Sequence, residues 1–241
     1  MPPEPEKDFT HRADLSELMD EPCDYADFRA CLRDLQQINR LTLSYRPTLA
    51  FLERAIAARA NHPLHIPVRI LDVGFGYGDM LRRIHRWAAA RDLPVILTGI
   101  DLNPYAAIAA REATHHLPHT NITWLTGDAF AYTEPADVII SSLFTHHLPH
   151  AELVRFLAWM ESTATRGWFI NDLERQATPA FLIGLLARVM RWHRFVQHDG
   201  PVSFRRAFRA ADWHTLLREA DIHSARTIPT FPARLCIERL K

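Results

Sequence analysis

Between Ile70 and Leu81 the chain reads ILDVGFGYGDML, and no other segment constrains the fold as much. An apolar strand runs to Asp72. Gly74, Gly76 and Gly78 then alternate with larger residues, and a helix begins. Glycines at this spacing let a backbone turn tightly through positive φ and let a ligand approach the main chain. The helix start behind them offers unpaired N–H groups to an anionic group such as a carboxylate. The spacing is GxGxG rather than the GxGxxG of dinucleotide binders, which counts against a nicotinamide-dependent dehydrogenase.

Around this segment, apolar runs alternate with helical patterns. Strands are expected over Val68–Val73, Val95–Asp101, Ile122–Leu125, Ala136–Ser141 and Gly167–Asn171. Helices are expected over Gly78–Arg91, Pro104–His115 (with Asn103 as its cap) and Glu152–Glu161. That rhythm implies a parallel sheet covered on both faces. Upstream, Leu15 to Ala60 is helical in pattern. One helix starts at Asp24–Asp27 and repeats Phe28, Leu32, Leu35 and Ile38; a second begins at Arg46 or Pro47 and ends before Asn61-His62-Pro63. Residues 1–10 are expected to be disordered. After Asn171 come a long apolar helix over Thr178–Trp192, a loop-like QHDGPVSFRRAF, a helix over Asp212–Ala220 and a closing strand pair, Ile222–Ile228 and Ala233–Arg239. The organisation expected is a helical cap over 1–60 and an α/β domain over 61–241, with a helical lid inserted at about 178–208.

Composition removes several classes. Basic and acidic residues balance at 28 each, and Arg205, Arg206 and Arg209 form only a local cluster, so no nucleic-acid partner is expected. Cys23, Cys31 and Cys236 make no CxxC pair and no disulfide framework. The polar, Pro-rich start lacks the apolar run of a signal peptide, and no stretch reaches membrane-spanning length. A cytoplasmic protein without membrane insertion is the expectation.

Further candidate residues sit at strand ends. Asp101 can accept hydrogen bonds from ribose hydroxyls; it can also cap the next helix, although Asn103 fits that role better. Asp128, in Gly127-Asp128-Ala129, can accept from an adenine amino group, although Gly-Asp is also a common turn. The segment THHLPH occurs at Thr114–His119 and again at Thr145–His150. Histidines at helical spacing can share a metal, but Pro118 and Pro149 interrupt both copies, and no metal centre is expected. His146 and His147, beyond the fourth strand, are better placed to take an acceptor's proton.

In this order and spacing the residues resemble the class I S-adenosylmethionine-dependent methyltransferase family, over roughly Val68 to Asn171. The resemblance implies a Rossmann-like αβα sandwich whose seven-stranded, mostly parallel sheet has an antiparallel last strand. It implies that Asp72, Gly74, Gly76 and Gly78 hold the methionine end of the cofactor. Asp101, Leu102 and Asn103 would meet the ribose, Asp128 and Ala129 would flank adenine, and Ser142 would lie at the reactive edge. The chain is also similar to bacterial small-molecule methyltransferases of polyketide-type biosynthesis. Glu17–Asp20 (ELMD), Ile38–Arg40 (INR) and His198–Pro201 (HDGP) carry that likeness, and Leu43-Ser44 departs from it where a glycine pair is more usual.

The activity implied is methyl transfer to an oxygen of a small, largely apolar acceptor of phenolic or polyketide type. Carbon methylation of a similar acceptor and a non-catalytic cofactor-binding module are the alternatives. His146 or His147 would serve as base, although alignment alone can supply much of the rate. A polar break at Asn39, Arg40, Tyr45 and Arg46 could lay the Arg46 guanidinium on the cofactor carboxylate. The acceptor pocket is expected from Phe144, Met190, His198 and Arg205. In it the helical face of Phe181, Leu182, Leu185, Leu186, Val189 and Met190 would cover something apolar. The same face could instead form a homodimer interface.

Overall fold

Alternating apolar residues along each strand send side chains to both faces of one sheet. On β4 (Ala136–Ser142), Val138 and Ile140 enter one buried cluster and Ile139 enters the other. The computed structural model describes residues 8–57, 66–117 and 121–241. The expected helix end near Ala60, the Asn61–Pro63 break, the close of the first THHLPH copy and residues 1–7 lie outside the described residues.

The helices and strands follow the expected order: α1 (Tyr25–Leu41), α2 (Tyr45–Ala57), β1 (Val68–Val73), α3 (Asp79–Ala89), β2 (Val95–Asp101), α4 (Pro104–Thr114), β3 (Ile122–Thr126), β4, α5 (His150–Thr163), β5 (Ala164–Leu173), α6 (Ala177–Val189), α7 (Arg194–Arg206), α8 (Ala210–Glu219), β6 (Arg226–Thr230) and β7 (Arg234–Leu240). The seven strands are ordered β3-β2-β1-β4-β5-β7-β6. β1 pairs in parallel with β2 and β4, and β7 runs antiparallel to both β5 and β6. This is the mostly parallel sheet with an antiparallel last strand that the family resemblance implies.

One face of the sheet is covered by α1 to α4. Phe51 of α2 stacks on Phe169 of β5 at 4.9 Å, and Phe28 and Leu32 of α1 join the same buried cluster. The N-terminal helices thus share a core with the sheet. α5 and α8 cover the other face through Phe156, Leu157, Trp213 and Leu216. A third, smaller cluster ties the N-terminal segment and α1 to α6 and α7 through Cys31, Ala187, Trp192, Phe195 and Val196.

Three expectations need correction. QHDGPVSFRRAF is not a loop: most of it is α7, with Pro201 inside the helix. Proline removes a helical hydrogen bond and costs about 3 kcal/mol in a helix interior. Here its ring seats on Gly184 of α6, where an added Cβ would stand 3.0 Å from Pro201 Cγ, and α7 buries Phe195, Val196 and Phe204. The α6 face read as covering something apolar is turned outward. Phe181 and Val189 are more than two-thirds exposed, and the helix packs instead through Ala180, Gly184 and Ala187. Residues 8–10 are not loose: the Phe9 carbonyl accepts from Arg209 Nη2 at 2.8 Å and Arg175 Nε at 3.2 Å.

Candidate active site

β1 and β4 are neighbours, yet their following helices leave to opposite faces, α3 to one and α5 to the other. A crevice opens at the carboxyl ends of strands where connections diverge in this way. The glycine loop rises after β1, and the segment Leu143–Leu148 rises after β4. They meet at Gly74, where an added Cβ would lie 2.6 Å from the Phe144 ring. Gly74, Gly76 and Gly78 all have positive φ. Trp124 fills the space beside Gly78, whereas a Cβ added at Gly76 would meet only Leu32 among the described residues, at 3.4 Å.

Carboxylates gather under this loop. Asp72 is buried and accepts no hydrogen bond from any described residue. Burial pushes its carboxyl well above the usual range, and Asp79 and Asp101 add to the shift. Asp101 accepts from Gly76 N–H and Asn103 N–H, each at 2.9 Å, which leaves further lone pairs on both oxygens. Burial raises it too, against the pull of those N–H groups. Asp79, at the first position of α3, accepts from Tyr45 Oη at 2.7 Å and Asn39 Nδ2 at 3.1 Å. The buried Ser142 Oγ and Asn39 Oδ1 have no partner among the described residues.

The remaining cofactor-side candidates lie around the same edge. Leu102 is exposed, Asn103 caps α4 through Tyr105 N–H, and Asp128 caps a 3-10 turn over Ala129–Ala131. Arg46 is exposed and makes no ion pair with the described residues; from that polar break it is Tyr45 and Asn39 that reach the loop. Leu43, in the same break, holds φ at 55°, a region glycine occupies without strain. That is the physical sense of the glycine pair absent from Leu43-Ser44.

On the other side of Phe144, His146 and His147 occupy a 3-10 turn with their rings 4.3 Å apart. His146 is buried and its Nδ1 lies 2.7 Å from Asp172 Oδ1. Asp172 also accepts from Thr145 Oγ1 and from the His146 N–H. Burial opposes the Asp172 charge, yet His146 and these hydrogen bonds hold its pKa well below the ordinary carboxylate range. His147 Nδ1 lies 3.0 Å from Asp20 Oδ1. Burial works against the Asp20 carboxylate as well, and contacts with His147 and Arg206 outweigh it, bringing its pKa down to about 2.

Between the two imidazoles lies Glu17, buried to 4% exposure. Its Oε1 is 3.7 Å from His146 Nε2 and its Oε2 is 3.9 Å from His147 Nε2. Burial pushes the Glu17 carboxyl up to about 7 against the opposing charges of His147 and Arg206. The segment carrying it is strapped across the strand ends. Asp199 of α7 accepts from Leu18 N–H and Met19 N–H at 2.8 and 3.0 Å, and Arg12 donates to the carbonyls of His146, Leu148 and Arg206.

Glu17, Asp20, Asp172 and Asp79 were not among the site residues expected from the sequence. Asp172 had a readable signal, since it ends a parallel strand at the ligand edge of the sheet. Glu17 and Asp20 stood in a segment noted only for its likeness to a subgroup. Of the acceptor-side candidates, Phe144 meets the glycine loop. Met190 is half-exposed at the end of α6, and the half-exposed His198 places Nδ1 2.7 Å from Asp199. Arg205 holds the N-terminal segment with its carbonyl, which accepts from Ala13 N–H at 3.0 Å. Their chain neighbours Asp199 and Arg206 are the ones brought to the N-terminal segment.

Residues 70–167 match the family model described as a methyltransferase domain. No curated protein sequence matches the chain. Among solved structures the fold is similar to an S-adenosylmethionine-dependent methyltransferase from Aquifex aeolicus, with 16% identity, TM-score 0.61, and 90% of this chain and 98% of that one covered. It is also similar to the plantazolicin methyltransferase BpumL, with 16% identity, TM-score 0.58 and coverage of 88% and 95%. A third is the magnesium protoporphyrin IX methyltransferase of Synechocystis PCC 6803, with 16% identity, TM-score 0.52 and coverage of 83% and 84%. Residues 70–167, with the glycine loop at the β1–α3 junction, thus match a methyltransferase domain, on a fold similar to that of S-adenosylmethionine-dependent methyltransferases.

Proposed function

We propose that this protein transfers a methyl group from S-adenosylmethionine to an oxygen of a small, largely apolar acceptor of phenolic or polyketide type. The observation carrying this reading is the Glu17–His146–His147 cluster, set beyond Phe144 from the glycine loop at the ends of β1 and β4. When bound, the cofactor supplies an electrophilic methyl group and two positive charges. The chain offers the complement: Asp79 and Asp101 stand beside the buried Asp72 and raise its carboxyl, and Ser142 Oγ has no partner among the described residues. On this reading Gly74, Gly76 and Gly78 accommodate the methionine end, and Asp101 with Leu102 and Asn103 takes the ribose. Asp128 and Ala129 flank adenine, and the exposed Arg46, next to Tyr45, would swing to the carboxylate when the cofactor binds.

The histidine cluster lowers the cost of removing the acceptor's proton, and Phe144 forms part of the apolar wall beside it. BpumL, similar in fold, was crystallised with an azole-containing desmethyl analogue of plantazolicin, in keeping with a natural-product acceptor. Among the described residues no helix is long and apolar enough to cross a membrane. The test is titration calorimetry with the cofactor followed by turnover on a panel of phenols and polyketide-like alcohols. Cofactor binding with an O-methylated product is expected. Binding without product on any acceptor would leave a non-catalytic module, and a product methylated on carbon would reassign the acceptor atom.

A further inference from the structure

We infer that Glu17, His146 and His147 bind one divalent transition-metal ion of the zinc type. Each histidine spends its Nδ1 on a carboxylate, His146 on Asp172 at 2.7 Å and His147 on Asp20 at 3.0 Å. A carboxylate only accepts, so in the neutral ring Nδ1 carries the proton and Nε2 keeps its lone pair. Both Nε2 atoms are turned toward Glu17, at 3.7 and 3.9 Å from its oxygens. These separations are too long for hydrogen bonds. Two ligands about 2.0–2.1 Å from a tetrahedral ion stand roughly 3.3 Å apart, a few tenths of an ångström less than observed. The three ligand atoms all lie within 4.8 Å of one another. Metal-binding histidines commonly donate their second N–H to a carboxylate, and here both do.

Three carboxylates, Glu17, Asp20 and Asp172, converge on the pair, with Asp199 behind them. Arg206 lies 2.8 Å from Asp20 and 3.7 Å from Glu17 Oε1, while Arg12, hydrogen-bonded to main-chain carbonyls, and the buried Arg234 act on Asp172. Ser203 Oγ donates to Glu17 Oε1 at 3.0 Å, which leaves Oε2 and a second lone pair on Oε1 for an ion. A purely protonic cluster, with imidazolium N–H groups donating to Glu17, would draw these atoms to hydrogen-bond distance. Two imidazoles and one carboxylate suit zinc and its first-row neighbours better than magnesium or calcium. Three protein ligands also leave a coordination position open, beside the partly exposed His147. Resting on the methyltransferase reading, that position would receive the acceptor's oxygen. Lewis-acid polarisation would lower the hydroxyl's pKa, and its proton would pass to water.

The test uses the full chain stripped of metal and titrated with zinc and with cobalt(II), with S-adenosylmethionine binding measured on the same samples. One equivalent of zinc is expected at submicromolar Kd, and cobalt should give a visible d–d spectrum. Glu17→Gln should remove the equivalent. Asp20→Asn keeps Glu17 and alters the support of His147 and the ion pair with Arg206, and it should weaken zinc binding on the order of 10–100-fold. The double variant His115→Ala/His116→Ala, which removes an exposed histidine pair elsewhere, should keep the equivalent. The absence of stoichiometric zinc in the wild-type chain overturns the inference. So does an equivalent lost with His115 and His116 but retained in both acidic variants. Loss of cofactor binding with the zinc equivalent intact would sink the methyltransferase reading and leave the metal site standing.

Discussion

The three glycines of one short loop do different work, and single substitutions separate it. Gly78 holds φ at 68°, and an added Cβ would lie 2.3 Å from Trp124 Cη2, in the core beneath α3. Gly78→Ala is expected to lose about 3 kcal/mol or more, from backbone strain and overpacking together. Gly76 has a positive φ, but a Cβ there would make only an ordinary contact with Leu32, so Gly76→Ala should cost only about 1–2 kcal/mol. It should still weaken cofactor binding, because the new methyl occupies the space offered to the ligand. Thermal denaturation alongside calorimetry checks the pair; equal stability losses would contradict the assignment. Asp72 supplies the sharper test. It is buried, unbonded and pressed by Asp79 and Asp101. Asp72→Asn should therefore raise the stability of the ligand-free protein, by roughly 1 kcal/mol or about 2–4 °C in Tm. It should also lower cofactor affinity at least tenfold. A fall in both quantities would make Asp72 a structural residue.

Among the elements, α7 does most to assemble the site while touching little of the reaction itself. Its Asp199 is the acceptor for two N–H groups of the Glu17–Asp20 segment. Hydrogen bonds to a charged group are worth about 1.5–3 kcal/mol each. Asp199→Ala should therefore speed hydrogen exchange at Leu18 and Met19 by roughly 100-fold or more. Cofactor affinity should stay near wild type, since the glycine loop belongs to β1 and α3, while turnover falls. Unchanged exchange at those two amides would show that Arg12 alone pins the strap. α6 gives the complementary lesson. Its apolar face is legible from spacing, but spacing does not say what the face meets, and the helix turns its small residues inward.

For the whole molecule, the last strand closes the structure against the N-terminal helices. Glu238 of β7 is 2% exposed and pairs with both Arg54 of α2 and Arg226 of β6. Either arginine alone can neutralise it. Arg54→Ala and Arg226→Ala are each expected to cost about 1 kcal/mol. The double variant should cost more than their sum, because it strands a buried charge, a loss on the order of 3–5 kcal/mol. Urea unfolding of the four proteins in the cycle measures the coupling, and strict additivity would mean that water already screens Glu238.

The sheet was legible because its information is local. Apolar runs at period two, helices that cap and bury one stripe, and Gly74, Gly76 and Gly78 behind a strand fix elements whose order leaves few topologies. Asp72, Asp101 and Asp128 stood out because they lie at or just beyond strand ends, where open α/β sheets place their ligands. The helix of α7 was misread because Gly200-Pro201 is a breaker by every local rule. Only its fit against Gly184 and Ile183 of α6 reverses that. Of the histidine cluster only His146 and His147 could be read, not the carboxylates they meet. His146 and His147 are adjacent in sequence, but Glu17 and Asp20 stand more than a hundred residues before them and Asp172 lies beyond α5. Their meeting depends on the N-terminal segment being pinned by Asp199 and Arg12 across the ends of β4 and β5. The sequence by itself determined the scaffold and the loop, through local periodicity and backbone freedom. Which charges share a buried space was decided by the tertiary structure, because contacts between segments so far apart leave no periodic trace in either one.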